Sequence, residues 1–596
     1  MPIGSRLLRY LTRWAEGTPT GQARGSTPAD LPGHTEQPSR PETPSVVLQA
    51  VLANAQLSAW ETVALNSYQA AVQALAVQGN GALRVGALKA AQEGLELVPL
   101  PASLGAALVL IKELFSECDD LVLRGLMIGN RPAALLFVRG LVKEERLELS
   151  VLEPLGRHAT ESQMPESGPA LRTWLASVAI ASDKAEPVKS VGHVVDGLLL
   201  GDAVLLVDGL AEGLKMAAQG WERRSVDKPV VESTVRGPQE GFTETILVNT
   251  SLLRRKLKSP HLKIERIVLG RQTRTALAVI YLKDVAAPSL VDEVKRRLRR
   301  IDVDGILDTG MIEEWIEDQP SSLFPQVSYT ERPDRVAGNL LDGQVAILAE
   351  GSPTALTLPV TFWMLLQAGE DYYHRFWLAS ALRLLRALFL VVSLVGPSTY
   401  IAITTFHQEM IPTNLLLSIV ASREGVPFPV MLEAILMEVF FEVLREAGLR
   451  LPRPMGQAIS IVGALVLGQA AVQSGLVSTS VVITVAITGI SSFIIPGYGL
   501  GSAIRLLRFP LMLLAGSLGL FGIMIGLLAI LVHLCGLRSF GVPYLQPVAP
   551  LTWPDLRDVL LRAPAWLLGR RPAMLGSPNR RRQAPWLDPG AGGDGS

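Results

Sequence analysis

The feature that most constrains this chain is a set of four apolar runs confined to its last third. Leu384 to Phe406, Ala458 to Val477, Val481 to Pro496 and Pro510 to Leu534 approach or exceed the roughly 17 to 25 residues that cross a hydrocarbon layer. Arg386, near the start of the first run, is the one formal charge within them. These runs are expected to be membrane helices. A composition of 48% hydrophobic and 18% charged residues over 596 positions is also more apolar than that of an ordinary soluble protein. The opening sequence MPIGSRLLRYLTRWAEG lacks the apolar core of a signal peptide, so the long N-terminal region is expected to stay in the cytosol.

Lys+Arg and Asp+Glu both number 55, which gives no sign of a nucleic-acid partner. The two cysteines, Cys118 and Cys535, and the seven scattered histidines have no metal-ligand or disulfide spacing. No glycine is followed by lysine, so there is no phosphate-binding loop of the Walker type. GYGLG at Gly497 to Gly501 follows an apolar run rather than a strand, which removes a dinucleotide reading. The expectation is a protein that is not an enzyme and holds no cofactor or metal.

Residues 1–45 read as a disordered basic tail, rich in Pro, Gly, Thr and Ser after the first helix-like turn. From Val46 the spacing of apolar residues is helical, as in VVLQAVLANAQL and LGAALVLIKELF. It then changes to strand, glycine turn, strand and helix in DLVLRGLMIGNRPAALLFVRGL followed by ERLELSVLEPL. The same order returns in KIERIVLGRQTRTALAVIYLKDV followed by SLVDEVKRRLRRI, with turn glycines Gly129 and Gly270. GDAVLLVDGL and RGPQEGF read as further strands and turns, and LDGQVAILAEGSP as another hairpin. The expected architecture is an α+β cytosolic domain of two similar subdomains, followed by an α-helical polytopic membrane domain. Boundaries fall at 46–195 for the helix-rich segment with the first subdomain, 196–375 for the second subdomain and 376–545 for the membrane part. The last includes a short helix at 411–421 and an amphipathic one at 428–447. Residues 546–596 read as a polar tail, disordered from about 570.

Several long strings are recognisable. QPSSLFPQVSYTERPD, GEDYYHRF, ASREGVPFPVMLEAILMEVFFEVLREAGLRLPRPMGQAISIVGALVLGQAAVQSGLVS and SFGVPYLQPVAP resemble the spore germinant-receptor A-subunit family, the GerA family. RGPQEGFTETILVNTSLLRRKLK and VKRRLRRIDVDGILDTG resemble its cytosolic motifs, so the likeness runs from about Cys118 to Pro550. The resemblance implies a subunit of the spore inner membrane, or bacterial cell membrane, that forms a homo-oligomeric ring around an ion pathway. It implies a transporter-like B subunit and a lipoprotein C subunit as partners, membrane lipid around the ring, and release of monovalent cations at germination. Stage V sporulation protein AF is a close relative and the alternative within the family, and a secondary transporter the alternative outside it.

Two helices carry the candidate site. In VMLEAILMEVFFEVLREAGLR a helical wheel places Glu438, Glu442, Arg445 and Glu446 on one ionic face, opposite an apolar one. That face is either an ion-attracting vestibule or a set of internal salt bridges, Glu442 with Arg445 and Glu446 with Arg450. In GQAISIVGALVLGQAAVQSG, Gly456, Ser460, Gly463 and Gly468 form a small-residue packing surface. Val462, Val466, Gln469 and Gln473 share another face, read either as a pore lining with a valine constriction or as buried helix core. Gly516, Gly519, Gly522 and Gly526 read as a packing seam on the last span.

Overall fold

The structure is a computed structural model. It describes residues 95–583 apart from 97, 157–164, 166–167, 179–184, 221–228, 230–231, 233, 235 and 451–467, all within one compact unit. The helical expectation for Val46 to Gly94 and both chain ends lie outside the described residues.

The first subdomain opens with helix α1 (Leu104–Leu114), followed by strands β1 (Leu121–Ile128) and β2 (Arg131–Val138). Short helical turns over Glu144–Leu152 and helix α2 (Gly168–Val178) come next. Strand β3 (Ala185–Val188), helix α3 (Val191–Leu200), β4 (Ala203–Val207) and β5 (Gly213–Met216) complete it. The second runs α4 (Ile246–Lys256), β6 (Leu262–Leu269), β7 (Thr275–Leu282), α5 (Pro288–Arg299) and α6 (Thr309–Ile316). It ends with β8 (Ser328–Thr330), α7 (Pro333–Asp342), β9 (Val345–Ala349) and β10 (Ala355–Leu358). Both sheets are antiparallel, ordered β1-β2-β4-β5-β3 and β6-β7-β9-β10-β8. The expected duplication is present strand for strand.

Period-two alternation explains the layers. Leu277 and Val279 of β7 pack with Leu290, Val294 and Ile312 from α5 and α6. Ala278 and Ile280 turn the other way, toward Leu252 of α4 and Leu340 of α7. Covered on both faces, β7 is buried at all eight positions, which is why its sequence, TALAVIYL, is almost wholly apolar. Helices α3 and α7 end alike, at Gly201 (φ 88°) and Gly343 (φ 108°), a left-handed cap that glycine adopts without strain. The subdomains are locked by a buried bidentate pair, Arg254 of α4 on Asp120 before β1, at 3.0 and 2.9 Å. RGPQEGF departs from expectation: residues 236–242 form no strand, because their backbone groups serve Arg332 and Glu331 instead of a ladder.

The helical part comprises α8 (Phe376–Phe406), the short α9 (Thr413–Ala421), α10 (Val430–Arg450), α11 (Thr479–Phe493) and α12 (Tyr498–Gly536). Helices α8 and α12 are long and apolar enough to cross a membrane, and α11 is a shorter apolar helix. The last apolar run does not form one straight rod. At Gly519 the backbone is non-helical (φ 66°, ψ −143°), a conformation open essentially to glycine alone. A straight helix of 39 residues would span about 58 Å. Yet a Cβ on Gly499 would lie 3.2 Å from Pro325, and His533 hydrogen-bonds Ser322 at 2.8 Å, so both ends meet one loop. Helix α12 is therefore a hairpin of two arms, Tyr498 to Leu518 and Leu520 to Gly536, each about bilayer length. Of the expected glycine seam, Gly522 and Gly526 lie where the arms close, since Cβ atoms there would strike Leu514 and Leu511, whereas Gly516 faces Met431 of α10. The tip at Gly519 sits against Phe406 and His407, the far end of α8.

The tail also departs from expectation. Residues 570–583 are seated on the second subdomain, because Arg571 donates to the Leu341 carbonyl and Arg582 pairs with Asp342 at 3.0 Å. Basic groups there meet the exposed carbonyl end of α7, an arrangement the helix dipole favours.

Candidate functional site: the bundle interior and its junction

Helix α10 turns its acids inward. Glu433 and Glu438 are fully buried, whereas Leu432, Val439, Phe440 and Val443 are exposed, so the apolar face looks outward as a lipid-facing surface does. Each inward acid meets arginine. Glu438 pairs with Arg508 of α12 at 2.5 Å, Glu442 lies 3.4 Å from Arg445 and 3.7 Å from Arg505, and Glu433 lies 3.9 Å from Arg423. Glu433 also accepts from the Ser478 backbone and hydroxyl, both at 3.1 Å. Arg445 stacks over Phe441 and Phe493 and reaches Ser492. Glu446 lies at the surface.

Arg508 has a second partner with a covalent cause. Pro397 sits inside α8 and has no N–H to offer the Ser393 carbonyl one turn earlier, and its ring pushes that carbonyl aside. Arg508 supplies the missing donor: Nε bonds Ser393 O at 2.8 Å and Nη2 bonds Ser393 Oγ at 3.0 Å. One guanidinium thus joins α8, α10 and α12. The other Glu438 oxygen, Oε1, is buried without a hydrogen bond.

Of the other sequence candidates, Gln469 and Gln473 are exposed, and Gly468 lies against Val482 of α11. Val462, Val466, Gly456, Ser460 and Gly463 lie outside the described residues, as does the side chain of Arg450. Glu442 and Arg445 are brought together, as one of the two readings expected. Sequence reasoning missed Arg508 and Ser393; a proline four residues after a serine in an apolar helix was the available signal.

The recognisable strings converge on the junction between bundle and second subdomain. From GEDYYHRF, buried Asp371 binds Arg383 at 3.0 Å and Arg386 at 2.7 and 2.8 Å, both on α8. Tyr372 donates to Asp558 of the tail at 2.7 Å, and Tyr373 to Asp334 of α7 at 2.7 Å. The Tyr373 ring leaves no room beside Gly237 of RGPQEGF, where a Cβ would lie 2.7 Å from it. From SFGVPYLQPVAP, Tyr544 and Ser539 donate to the Pro325 and Gln326 carbonyls of QPSSLFPQVSYTERPD at 2.7 and 2.6 Å. Burial pushes the Tyr373 phenol well above its usual range, helped by the neighbouring Asp334 carboxylate. What this arrangement can do is mechanical: it fixes the base of α8 to α7 and to the tail.

Residues 109–574 match the family described as Bacillus/Clostridium GerA spore germination protein. The uncharacterized membrane protein YfkQ of Bacillus subtilis (strain 168) is 43% identical over 82% of this chain and 95% of its own length. Spore germination protein KA of the same organism is 42% identical, over 83% of this chain and 90% of its own length. A crystal structure of the N-terminal domain of the A subunit of the Bacillus megaterium spore germinant receptor GerK3 is 31% identical, covering 44% of this chain and 97% of that one, with a TM-score of 0.36. With buried ion pairs holding an apolar bundle and the shared motifs sealing that bundle to a duplicated sheet domain, the chain belongs to the GerA family of spore germination proteins.

Proposed function

We propose that this chain is the A subunit of a spore germinant receptor, assembling as a ring around a pathway for monovalent cations in the spore inner membrane. Its sheet domain faces the cytosol, and a transporter-like B subunit and a lipoprotein C subunit complete the receptor. Family membership supports the receptor role, since relatives over most of the chain are named spore germination proteins. The observation that carries the ring is the exposure of Gln469 and Gln473, with Leu476 of the same stretch and Ile483 and Ile487 of α11 also facing outward. Uncovered amides are costly against hydrocarbon, so this face is suited to water or a second subunit. The ionic helix takes the structural role in this reading. Glu438, Glu442 and Arg445 spend their charge on arginine and carboxylate partners within one subunit, leaving the axis to Val462, Val466, Gln469 and Gln473.

The test is cation leak from vesicles holding the purified protein. Val462→Ser wets the proposed constriction and is expected to leak without stimulus, whereas Leu465→Ser, on another face, is not. Equal leak from both overturns the assignment of the pore.

A further inference from the structure

We propose that Arg508 is a removable donor, a latch that sets the shape of α8 around Pro397. It goes beyond the receptor reading and does not depend on it. The carbonyl of Ser393 has lost its helical partner to Pro397, and its side-chain neighbours leave it one replacement, the Arg508 Nε at 2.8 Å. That replacement comes from a different helix, so the continuity of α8 depends on where α12 stands. Arg508 is in turn held by Glu438, whose Oε1 has no hydrogen bond, so the carboxylate has spare capacity for a second arrangement. Two arms of α8 meet at this point. Phe376 to Val392 is anchored by Arg383 and Arg386 to Asp371, and Ser398 to Phe406 abuts the hairpin tip at Gly519. A shift of α12 that withdraws Arg508 frees the Ser393 carbonyl, and the distal arm swings about Pro397 relative to the anchored one.

The experiment measures the bend directly in the full chain. Spin labels at exposed Leu388 and Thr405, with Cys118 and Cys535 replaced by serine, lie about 26 Å apart along a continuous helix. The unmodified latch is expected to give one narrow distance distribution. Arg508→Lys keeps a cation beside Glu438 but cannot fork to Ser393, and should shorten and roughly double the width of the distribution. Adding Pro397→Ala restores a helical N–H for the Ser393 carbonyl and should narrow it again. An Arg508→Lys distribution matching the parent, or one that Pro397→Ala fails to narrow, overturns the latch. Arg508→Gln with Glu438→Gln serves as the second variant: it removes the charges together, folds without an unpaired ion, and should broaden the distribution in the same way.

Discussion

Asp208 and Glu350 do the same work in the two subdomains, 350 − 208 = 142 residues apart. Asp208 accepts from the Leu104 N–H at 2.9 Å, and Glu350 from the Ile246 N–H at 3.1 Å, each at the first turn of the helix that opens its subdomain. The glycine after each, Gly209 or Gly351, donates to Ala102 or Glu244 just before that helix. A carboxylate that closes a strand and caps a helix is thus repeated with its partners, and duplication explains both.

Replacing either acid by alanine should lower stability by about 1 kcal/mol through the lost cap. Asp208, the more buried contact, should give the larger loss. Because the caps share no partner, the double variant should equal the summed singles within about 0.5 kcal/mol. Thermal unfolding of the purified chain measures this, and a strong departure from additivity would show that the caps are coupled.

Asp371→Asn leaves Arg383 and Arg386 facing each other at the base of α8 without the buried carboxylate between them. Removing one partner of such a cluster costs roughly 3 to 5 kcal/mol. Limited proteolysis around residue 370 should accelerate strongly, while cleavage within the first sheet stays at the parent rate.

Gly237→Ala places a methyl against the Tyr373 ring at a backbone angle of φ 120°, which alanine rarely adopts. It should destabilise more than Tyr373→Phe, which removes only the Asp334 hydrogen bond. Melting temperatures of the two variants decide the order.

Glu313 is pushed up to about 7 by burial and by Glu317, the residue that closes α6, with Glu314 and Asp308 adding to it. Its unfolded value is near 4.5, so between those limits the folded chain holds a proton that the unfolded chain releases. Stability from this site is therefore highest below pH 4.5 and falls as pH rises to about 7. Glu313→Gln should raise the melting temperature at pH 8 and leave it nearly unchanged at pH 4.5; an equal effect at both would refute the linkage.

What the sequence showed depended on how local the cause was. The β6–β7 hairpin was legible because Gly270 and two apolar runs lie within one short window. The pairing of Glu442 with Arg445 was legible for the same reason, three residues along one helix. Glu438 and Arg508 are 508 − 438 = 70 residues apart, and only the tertiary fold brings them to 2.5 Å. The break at Gly519 was hidden because glycines spaced for close packing and a glycine needed for a reversal look alike in one dimension. RGPQEGF misled because Gly237 makes room for the Tyr373 ring and the Pro238 carbonyl accepts from Arg332, both far along the chain, and neither forms a turn between strands.

The clasp that the tail lays over α8 and α7 also dictates an order of events during synthesis. Asp558, Arg562 and Arg571, which seal α8 and α7 together, follow α8 to α12 in the chain and are translated after them. The sheet domain can fold early, and Asp371 can bind Arg383 and Arg386 early, but the seal through the tail must wait for Asp558 and the residues after it. A chain stalled between Gly536 and Asp558 would hold the sheets and the apolar helices without that clasp. Those three residues, and not the helices they hold, set the moment at which that seal forms.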